Sequence, residues 1–186
     1  MTTLLLARHG ETDWNRELRF QGHADPPLNE LGRRQAEKLA DGLEGEAVAA
    51  IYCSDLRRAH ETARIVGERL GVGVTVVQGL REIDVGSWSG LTRDEIAERF
   101  PDGFSRWLEG GQGHDGETGD ELTARVVESA RRIAAAHPGE QVLLVSHGGA
   151  VRALLSHAEG RRSTRRLDNC TVCRIRVEGA AFRPVD

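Results

Sequence analysis

Two short apolar runs, far apart in the chain, end in the same arrangement of polar residues and glycine. Leu4–Leu6 leads into Arg8-His9-Gly10, and Val142–Val145 leads into Ser146-His147-Gly148. A continuous apolar run of this length is typical of a parallel strand that is buried on both faces. Because ligands of open α/β sheets bind just beyond the carboxyl ends of such strands, we expect chemistry at His9 and His147.

The repetition favours a functional interpretation over a structural one. A single histidine after a strand is more often a hydrogen-bonded structural residue. Two such histidines, each followed by glycine, favour function, because glycine lets the backbone approach a ligand or adopt positive φ. If the two strands are neighbours in the sheet, both imidazoles enter one pocket. Our hypothesis is that His9 is a nucleophile towards phosphorus and that His147 helps to bind the phosphoryl group.

Helices alternate with short strands along the rest of the chain. Apolar positions at helical spacing predict helices over residues 30–43, 56–70, 93–99, 119–136 and 151–158. Short β-rich runs predict strands at 48–53, 72–77, 171–177 and 181–185, the last two joined as a hairpin. Ser54 and Asp55 are predicted to cap the second helix, and Thr118–Glu121 forms a capping box for the fourth.

Three polar segments are predicted to be loops. Residues 11–27 follow the first strand and are expected to line the site, where Asn15 is a candidate donor to phosphate. Residues 101–119 are rich in glycine and have no clear period, so we expect a loop over the site or a surface excursion. The basic segment 161–166 is expected to be solvated, and contact with an anionic substrate is the weaker alternative.

Two arginines lie in the predicted first turn of the second helix. Basic residues there oppose the helix dipole unless an anion lies in front of them. Arg58 is adjacent to the apolar stripe and is predicted to reach inward, whereas Arg57 is predicted to be solvated.

Glu82 follows the predicted third strand and leaves it at the same sheet end as His9. A carboxyl group in partly apolar surroundings can carry a proton near neutral pH, as a general acid must. From this residue alone, an ordinary surface glutamate is an equally good interpretation.

Length and composition narrow the class of protein. The 186 residues predict a single domain spanning 1–186 with a substantial core. The net charge of −4 gives no reason to expect nucleic-acid binding, and no segment predicts membrane insertion or secretion. The cytoplasm is therefore the default location. Three cysteines argue against a disulfide framework, and we interpret Cys170 and Cys173 as ordinary cysteines on opposite faces of a strand.

The segment Arg8–Thr12 together with Asn15 resembles the R-H-G-[EQ]-[TS]-x-x-N signature of the histidine phosphatase superfamily, also called the phosphoglycerate-mutase-like family. Further motifs similar to those of the family follow in the same order at residues 21–22, 28–32, 54–59, 62–63, 80–82, 86–91, 116–118 and 146–149. The resemblance covers nearly the whole chain. It implies a three-layer α/β/α sandwich whose sheet is mostly parallel, with one antiparallel strand.

The resemblance also implies residue roles. His9 takes the phosphoryl group, and Glu82 first donates a proton to the leaving group and later serves as the base for water. The implied phosphate-binding and substrate-binding residues are Arg8, Arg58 and His147, assisted by Asn15, Gln21, Gly22 and the Gly148 backbone. Ser89 departs from the glutamate that many members carry in a W-E-G motif, and we expect little catalytic consequence.

These roles predict a phosphomonoesterase that works through a phosphohistidine on a small phosphorylated metabolite, with no metal and no cofactor. The first alternative is a phosphoglycerate-mutase-type phosphoryl transferase. Such mutases are longer after the glutamate motif, whereas here only about two dozen residues separate Gly90 from Gly116. The second alternative, from another class, is a phosphate-recognising regulatory module. It is disfavoured because a pure binder needs neither a nucleophile nor a proton donor.

A third alternative makes His9 and His147 metal ligands, but the adjacent arginines repel a cation and no third ligand is evident. The identity of the substrate is open among sugar phosphates, phosphoglycerates, a nucleotide-loop precursor and a phosphoprotein. Residues 83–119, the basic segment and the Trp14 region are expected to set specificity. The oligomeric state is also open, and a homodimer is one of the states that the sequence allows.

Overall fold

The computed structural model describes residues 1–185, which form a six-stranded sheet with helices on both faces. The strands are β1 (Thr2–Arg8), β2 (Val48–Cys53), β3 (Val74–Val76), β4 (Gln141–Ser146), β5 (Val172–Glu178) and β6 (Ala181–Val185). The helices are α1 (Asp13–Arg16), α2 (Glu30–Leu43), α3 (Arg57–Leu70), α4 (Arg93–Arg99), α5 (Pro101–Leu108), α6 (Gly119–Ala136) and α7 (Gly148–Glu159). Two short 3₁₀ helices cover Gln78–Leu80 and Gly86–Trp88.

The strand order is β3-β2-β4-β1-β5-β6, with β1 and β4 as parallel neighbours. Only β5 runs against the other strands described, since β5 pairs antiparallel with both β1 and β6. The predicted fold class, a mostly parallel α/β/α sandwich with one antiparallel strand, is confirmed. The predicted neighbourhood of the first strand and the His147 strand is confirmed as well.

Alternate residues of β1 supply the cores of the two helical layers. Leu4 and Leu6 pack into the cluster that contains α6 and α7, whereas Leu5 and Ala7 pack into the cluster that contains α2 and α3. All four side chains are fully buried, so β1 is a two-sided central strand, as its continuous apolar run indicates.

Three predicted boundaries are wrong. The third strand is only Val74–Val76, so Glu82 follows a 3₁₀ turn and not a strand. The α3 helix begins at Arg57 with Leu56 at its N-cap position, and Ser54 instead accepts a hydrogen bond from the Leu56 N–H within the preceding turn. Part of the predicted loop 101–119 is helix α5.

Helix α5 forms because its aromatic residues find a partner cluster. Phe104 and Trp107 stack on each other, and Trp107 also packs edge-on against Phe20 and Trp88. Pro101 occupies the first helical position, which suits its fixed φ and missing N–H. This small third core covers one side of the region beyond β1.

Two smaller predictions need adjustment. The basic segment is mostly exposed, including the Arg166–Asp168 ion pair, but Arg165 is half-buried and pairs with Glu159, whose side chain is nearly buried. Cys170 precedes β5 in a left-handed conformation (φ 58°) and so does not share a strand with Cys173. Both thiols are free, and burial raises the pKa of Cys170 to about 12.

Candidate active site

Strand register brings the two predicted histidines together. Arg8 of β1 is aligned with Ser146 of β4, so His9 and His147 are the next residues on neighbouring parallel strands. Their ring centroids lie 5.2 Å apart with an angle of 61° between the planes. The sheet therefore places both imidazoles in one location, as the repeated sequence pattern predicts.

His9 is held as a neutral imidazole with one nitrogen free. Its side chain is nearly buried, and its backbone N–H donates to the Ser146 carbonyl (2.9 Å). Nδ1 lies 2.6 Å from the Gly10 carbonyl, which accepts only, so Nδ1 carries the proton and Nε2 keeps its lone pair. Burial and the positive charges of Arg58 and Arg8 lower the pKa of His9 well below its usual value. A neutral Nε2 is what a nucleophile requires.

Arg58 projects inward from the first turn of α3 and is completely buried, whereas Arg57 is exposed, as predicted. The Arg58 guanidinium donates hydrogen bonds to the carbonyls of Ala24 (2.7 Å) and Gly22 (2.9 Å). Burial lowers the pKa of Arg58 to about 10, against the opposing effect of the Glu82 carboxylate. Arg58 therefore remains positively charged at neutral pH.

Arg8 forms the second positive group and donates to the Leu167 carbonyl (2.8 Å). Within residues 1–185, the buried Nε atoms of Arg8 and Arg58 have no hydrogen-bond partner. A buried donor without a partner costs free energy, so both arginines are set up to bind an anionic group.

His147 occupies the N-cap position of α7 and is fully buried. Neither of its ring nitrogens has a hydrogen-bond partner in the described part of the chain. Burial and the charge of Arg58 lower its pKa well below the usual value. The free N–H groups of the helix N-terminus behind it add a further preference for an anion.

Glu82 approaches this group from the segment after the 3₁₀ turn. Its two carboxylate oxygens accept hydrogen bonds from the Gly149 N–H (3.0 Å) and the Ile83 N–H (2.9 Å). A Cβ atom at Gly149 would overlap Glu82 Oε1, so glycine there lets the carboxylate keep this position. The carboxylate therefore lies against the N-terminus of α7, beside His147.

The predicted assisting residues all belong to one cavity of about 290 Å³. Its polar lining comprises Arg8, His9, Asn15, Arg19, Gln21, Gly22, Arg58, Glu82, His114 and Gly148, and its apolar wall comprises Phe20, Ile83, Val85 and Trp107. His147 does not line the cavity itself, because it lies directly behind His9 with no exposed surface. The structure thus brings together every residue predicted for the site, with His147 in the layer beneath the cavity.

Asn15 and Gln21 differ in how they are held. A capping box places Asn15 Oδ1 on the Thr12 N–H (3.1 Å), which leaves the amide nitrogen available to an anion. Gln21 is almost buried, and its Oε1 has no partner within residues 1–185. Gly22 contributes its carbonyl to Arg58 and adopts φ +50°, where a side chain would crowd Val85.

The structure adds positioning residues that the sequence patterns did not single out. Asn169 Nδ2 donates to the His9 carbonyl (2.9 Å), although it is distant in sequence and carries no local signal. Thr62 Oγ1 accepts from the Gly10 N–H (3.0 Å) and donates to the Arg58 carbonyl (2.7 Å). Thr62 lies in one of the motifs that resemble the family, but the motif alone does not indicate this positioning role.

The described residues show neither a metal-binding cluster nor a membrane-spanning helix. Residues 1–185 contain no cluster of three or more histidine, cysteine or acidic side chains suited to a metal ion. No helix in this range is both long enough and apolar enough to cross a membrane.

The fold and the site together define an α/β protein that carries paired histidines and two arginines around one pocket at the edge of its sheet. The chain belongs to the histidine phosphatase superfamily, branch 1, whose sequence profile matches residues 4–186. Phosphoglycerate mutase-like protein 4 of Arabidopsis thaliana is 36% identical over 171 residues, which cover 89% of this chain and 74% of that protein. The metal-independent phosphoserine phosphatase of the same plant is 36% identical over 178 residues, which cover 92% and 75%.

Solved structures agree in both fold and length. YhfR of Bacillus stearothermophilus superimposes with a TM-score of 0.91 at 36% identity, covering 99% of this chain and 95% of that one. A mycobacterial glucosyl-3-phosphoglycerate phosphatase in complex with VO3 superimposes with a TM-score of 0.88 at 32% identity, covering 97% and 95%. These similarities confirm the predicted family.

Proposed function

We propose that this protein hydrolyses phosphomonoesters of small metabolites through a phosphohistidine formed at Nε2 of His9. The observation that carries the proposal is the His9 imidazole, whose Nδ1 bonds the Gly10 carbonyl and leaves Nε2 free. It lies near Arg8 and Arg58, whose charges help to lower its pKa and whose buried Nε donors lack partners within residues 1–185. The phosphatase names of relatives that align over most of this chain support the same activity. We assign the activity to the whole chain as one domain.

The site has two parts, named here for use below. The phosphate side consists of Arg8, His9, Arg58 and His147. The proton-donor side consists of Glu82 and the segment 79–84 that carries it. Phosphoryl transfer depends mainly on positioning and charge stabilisation, which these two sides supply.

In the first step, His9 Nε2 attacks phosphorus in line with the ester oxygen, and the P–O bond to the leaving group breaks. Arg8 and Arg58, which line the cavity, bind the nonbridging oxygens. His147, which has no exposed surface before substrate binds, offers an unpartnered ring nitrogen to the phosphoryl group once that group has entered, while Glu82 transfers its proton to the departing oxygen. In the second step, water attacks the phosphohistidine and gives a proton to Glu82. The N–P bond breaks, inorganic phosphate leaves, and both side chains return to their starting states.

The apolar wall of the cavity consists of Phe20, Ile83, Val85 and Trp107, and His114 also lines the cavity. Ile83 follows Glu82 directly in the chain, so part of this wall lies next to the proton donor. The Gly116 N–H lies 3.3 Å from Nδ1 of His114, so Nδ1 accepts and Nε2 carries the proton of this imidazole. We place the organic part of the substrate against these residues.

The test is hydrolysis of p-nitrophenyl phosphate in the presence of EDTA. We expect turnover by the natural chain and its loss to background in His9→Ala. His60→Ala changes an exposed histidine on α3 and should retain full activity. Labelling with ³²P-phosphoester, followed by denaturation in base, should trap an acid-labile phosphoenzyme in the natural chain only.

Three results would contradict the proposal in different ways. Loss of activity on chelation would favour the metal hypothesis. Isomerisation of phosphoglycerates faster than phosphate release would favour the mutase. Tight phosphate binding without turnover on a panel of phosphomonoesters would favour the regulatory module.

A further inference from the structure

The segment that carries Glu82 lies outside the sheet and is held by one arginine of α6. Arg125 makes five hydrogen bonds, which match the five N–H donors of a guanidinium. Two reach the Glu117 carboxylate, at 2.6 and 2.7 Å. Three reach the carbonyls of Gly79 (3.2 Å), Arg81 (2.8 Å) and Glu82 (2.7 Å).

Glu117 completes the attachment from its own backbone as well as its carboxylate. Its N–H donates to the Asp84 carbonyl (2.8 Å), and its Oε2 accepts from the Asp84 N–H (3.3 Å). Both side chains of the Arg125–Glu117 pair are mostly buried. The pair therefore binds main-chain groups on both sides of Glu82, where β3 has already ended.

The segment also packs closely on its surroundings. A Cβ atom at Gly79 would overlap Ser129 of α6, and one at Gly116 would overlap the Asp84 carbonyl. His23 Nε2 is a second donor to the Glu82 carbonyl (2.9 Å), beside Arg125. Two side chains therefore hold the peptide that carries the acid side chain, while the Gly149 N–H holds the carboxylate.

We propose that Arg125 and Glu117 are positioning residues for the proton donor, and that they act on the protonation of the leaving group and not on phosphate binding. This inference rests on the proposed function, because it assigns the role to Glu82 as the acid. Arg125 makes no hydrogen bond to the phosphate side within residues 1–185, and only its positive charge acts on His147, whose pKa it helps to lower. A variant that keeps this charge but loses the hydrogen bonds should therefore affect the proton-donor side selectively.

Leaving-group dependence separates this role from a merely structural one. Nitrophenolate departs without help from an acid, whereas phenolate is a much stronger base and needs a proton as the P–O bond breaks. The value of kcat/KM reports the steps up to phosphoryl transfer, so slow hydrolysis of the phosphohistidine does not enter. The two aryl phosphates share one ring, which keeps their binding similar.

The experiment compares kcat/KM for p-nitrophenyl phosphate and phenyl phosphate in the natural chain and three variants. Arg125→Lys keeps the charge but removes the planar set of five donors. We expect a loss of about 10- to 100-fold on phenyl phosphate and little change on p-nitrophenyl phosphate. Glu117→Gln should show the same pattern to a smaller extent, and serves as the second variant where Arg125→Lys folds poorly. The control is Arg131→Lys, at an exposed position of α6 where the arginine pairs with Glu128.

The Glu82→Gln variant distinguishes this inference from the proposed function. The positioning role is supported by two results together. Glu82→Gln should lower kcat/KM on phenyl phosphate selectively, and the double variant with Arg125→Lys should show no further decrease. Equal losses on both esters in Arg125→Lys would overturn it, as would no loss on either. If Glu82→Gln lowers kcat/KM equally on both esters, Glu82 is not the acid, and the inference about Arg125 and Glu117 is wrong for that reason.

Discussion

The two sides of the pocket are held by different kinds of structure. On the phosphate side, the histidines follow paired strands and Arg58 lies in the first turn of a helix, so main-chain hydrogen bonds fix their positions. On the proton-donor side, Glu82 lies beyond the end of β3, and side-chain donors of Arg125 and His23 hold its peptide. Many main-chain hydrogen bonds of the sheet fix the phosphate side, whereas the position of segment 79–84 depends on hydrogen bonds from a few side chains.

This difference predicts two kinds of kinetic defect. A change on the phosphate side should slow the hydrolysis of every ester by a similar factor, because all substrates share the phosphoryl group. A change on the proton-donor side should slow esters of strongly basic leaving groups and spare the others. Substitutions at single residues can therefore test whether the two sides act separately.

Among variants that keep the His9 nucleophile, the largest effect is expected at His147 on the phosphate side. His147→Leu keeps a similar volume and removes the two unpartnered ring nitrogens. We expect kcat/KM to fall about 10²- to 10³-fold on p-nitrophenyl and phenyl phosphate alike, as for loss of one charge-stabilising donor. Global stability should stay equal or rise, because removal of an unsatisfied buried polar group is not destabilising.

The matched control is His157→Gln, which changes an exposed histidine at the other end of α7 and should leave both rates unchanged. A selective loss on phenyl phosphate in His147→Leu would break the comparison, since it would place His147 on the proton-donor side. Urea denaturation of the two variants checks that each fold is intact.

A smaller effect is expected from a single methyl group beside Glu82. Gly149→Ala places a Cβ atom on the position of Glu82 Oε1, so the carboxylate must move away. We expect a loss of about 10-fold or more in kcat/KM on phenyl phosphate, with p-nitrophenyl phosphate nearly spared. Gly42→Ala is the control, because a Cβ atom at this exposed position of α2 would meet nothing within 4 Å. Equal behaviour of the two alanine variants would argue against steric positioning of Glu82.

The same division explains how much of the site could be predicted. The phosphate side follows from patterns that are local in sequence: an apolar run, then histidine, then glycine. Parallel register does the rest, because neighbouring strands end at the same edge of the sheet. The inward direction of Arg58 follows from the apolar spacing of its helix, whereas the three-layer sandwich follows from the resemblance to the family.

The proton-donor side could not be derived in this way. The sequence predicts Glu82 at the correct edge of the sheet, directly after the third strand. That strand already ends at Val76, so Glu82 is not held by it. Its actual position depends on Arg125, which is distant in sequence and lies on a helix whose apolar stripe gives no sign of a contact with carbonyl groups. Asn169 presents the same difficulty, since one amide group reaches the His9 carbonyl from a remote loop.

The sequence pattern does not predict helix α5, and the reason there is different. The glycine content of residues 101–119 hides a short helix whose Phe104, Trp107 and Leu108 have helical spacing behind Pro101. Its stability comes from a tertiary aromatic cluster with Phe20 and Trp88, not from its own eight residues. The wall of the cavity against which we place the leaving group was therefore the least predictable part.

The smallest effect is expected in the pH dependence of stability, which again concerns the phosphate side. Burial and nearby arginines lower the pKa of His9 and of His147 in the folded chain. In the unfolded chain these histidines bind protons below about pH 6.5, where the folded chain still excludes them. The unfolded state then binds more protons, so the free energy of unfolding decreases as pH falls below that value.

His147→Leu removes one of these two contributions and should make the protein less sensitive to acid. Between pH 7.5 and 5.5, we expect the natural chain to lose about 1 kcal/mol more free energy of unfolding than this variant does, measured by urea denaturation at low phosphate. His157→Gln, at the surface, should follow the natural chain. Identical acid sensitivity of the natural chain and His147→Leu would mean that His147 is protonated in the folded state, and would remove the argument that both imidazoles of the phosphate side are neutral before phosphate binds.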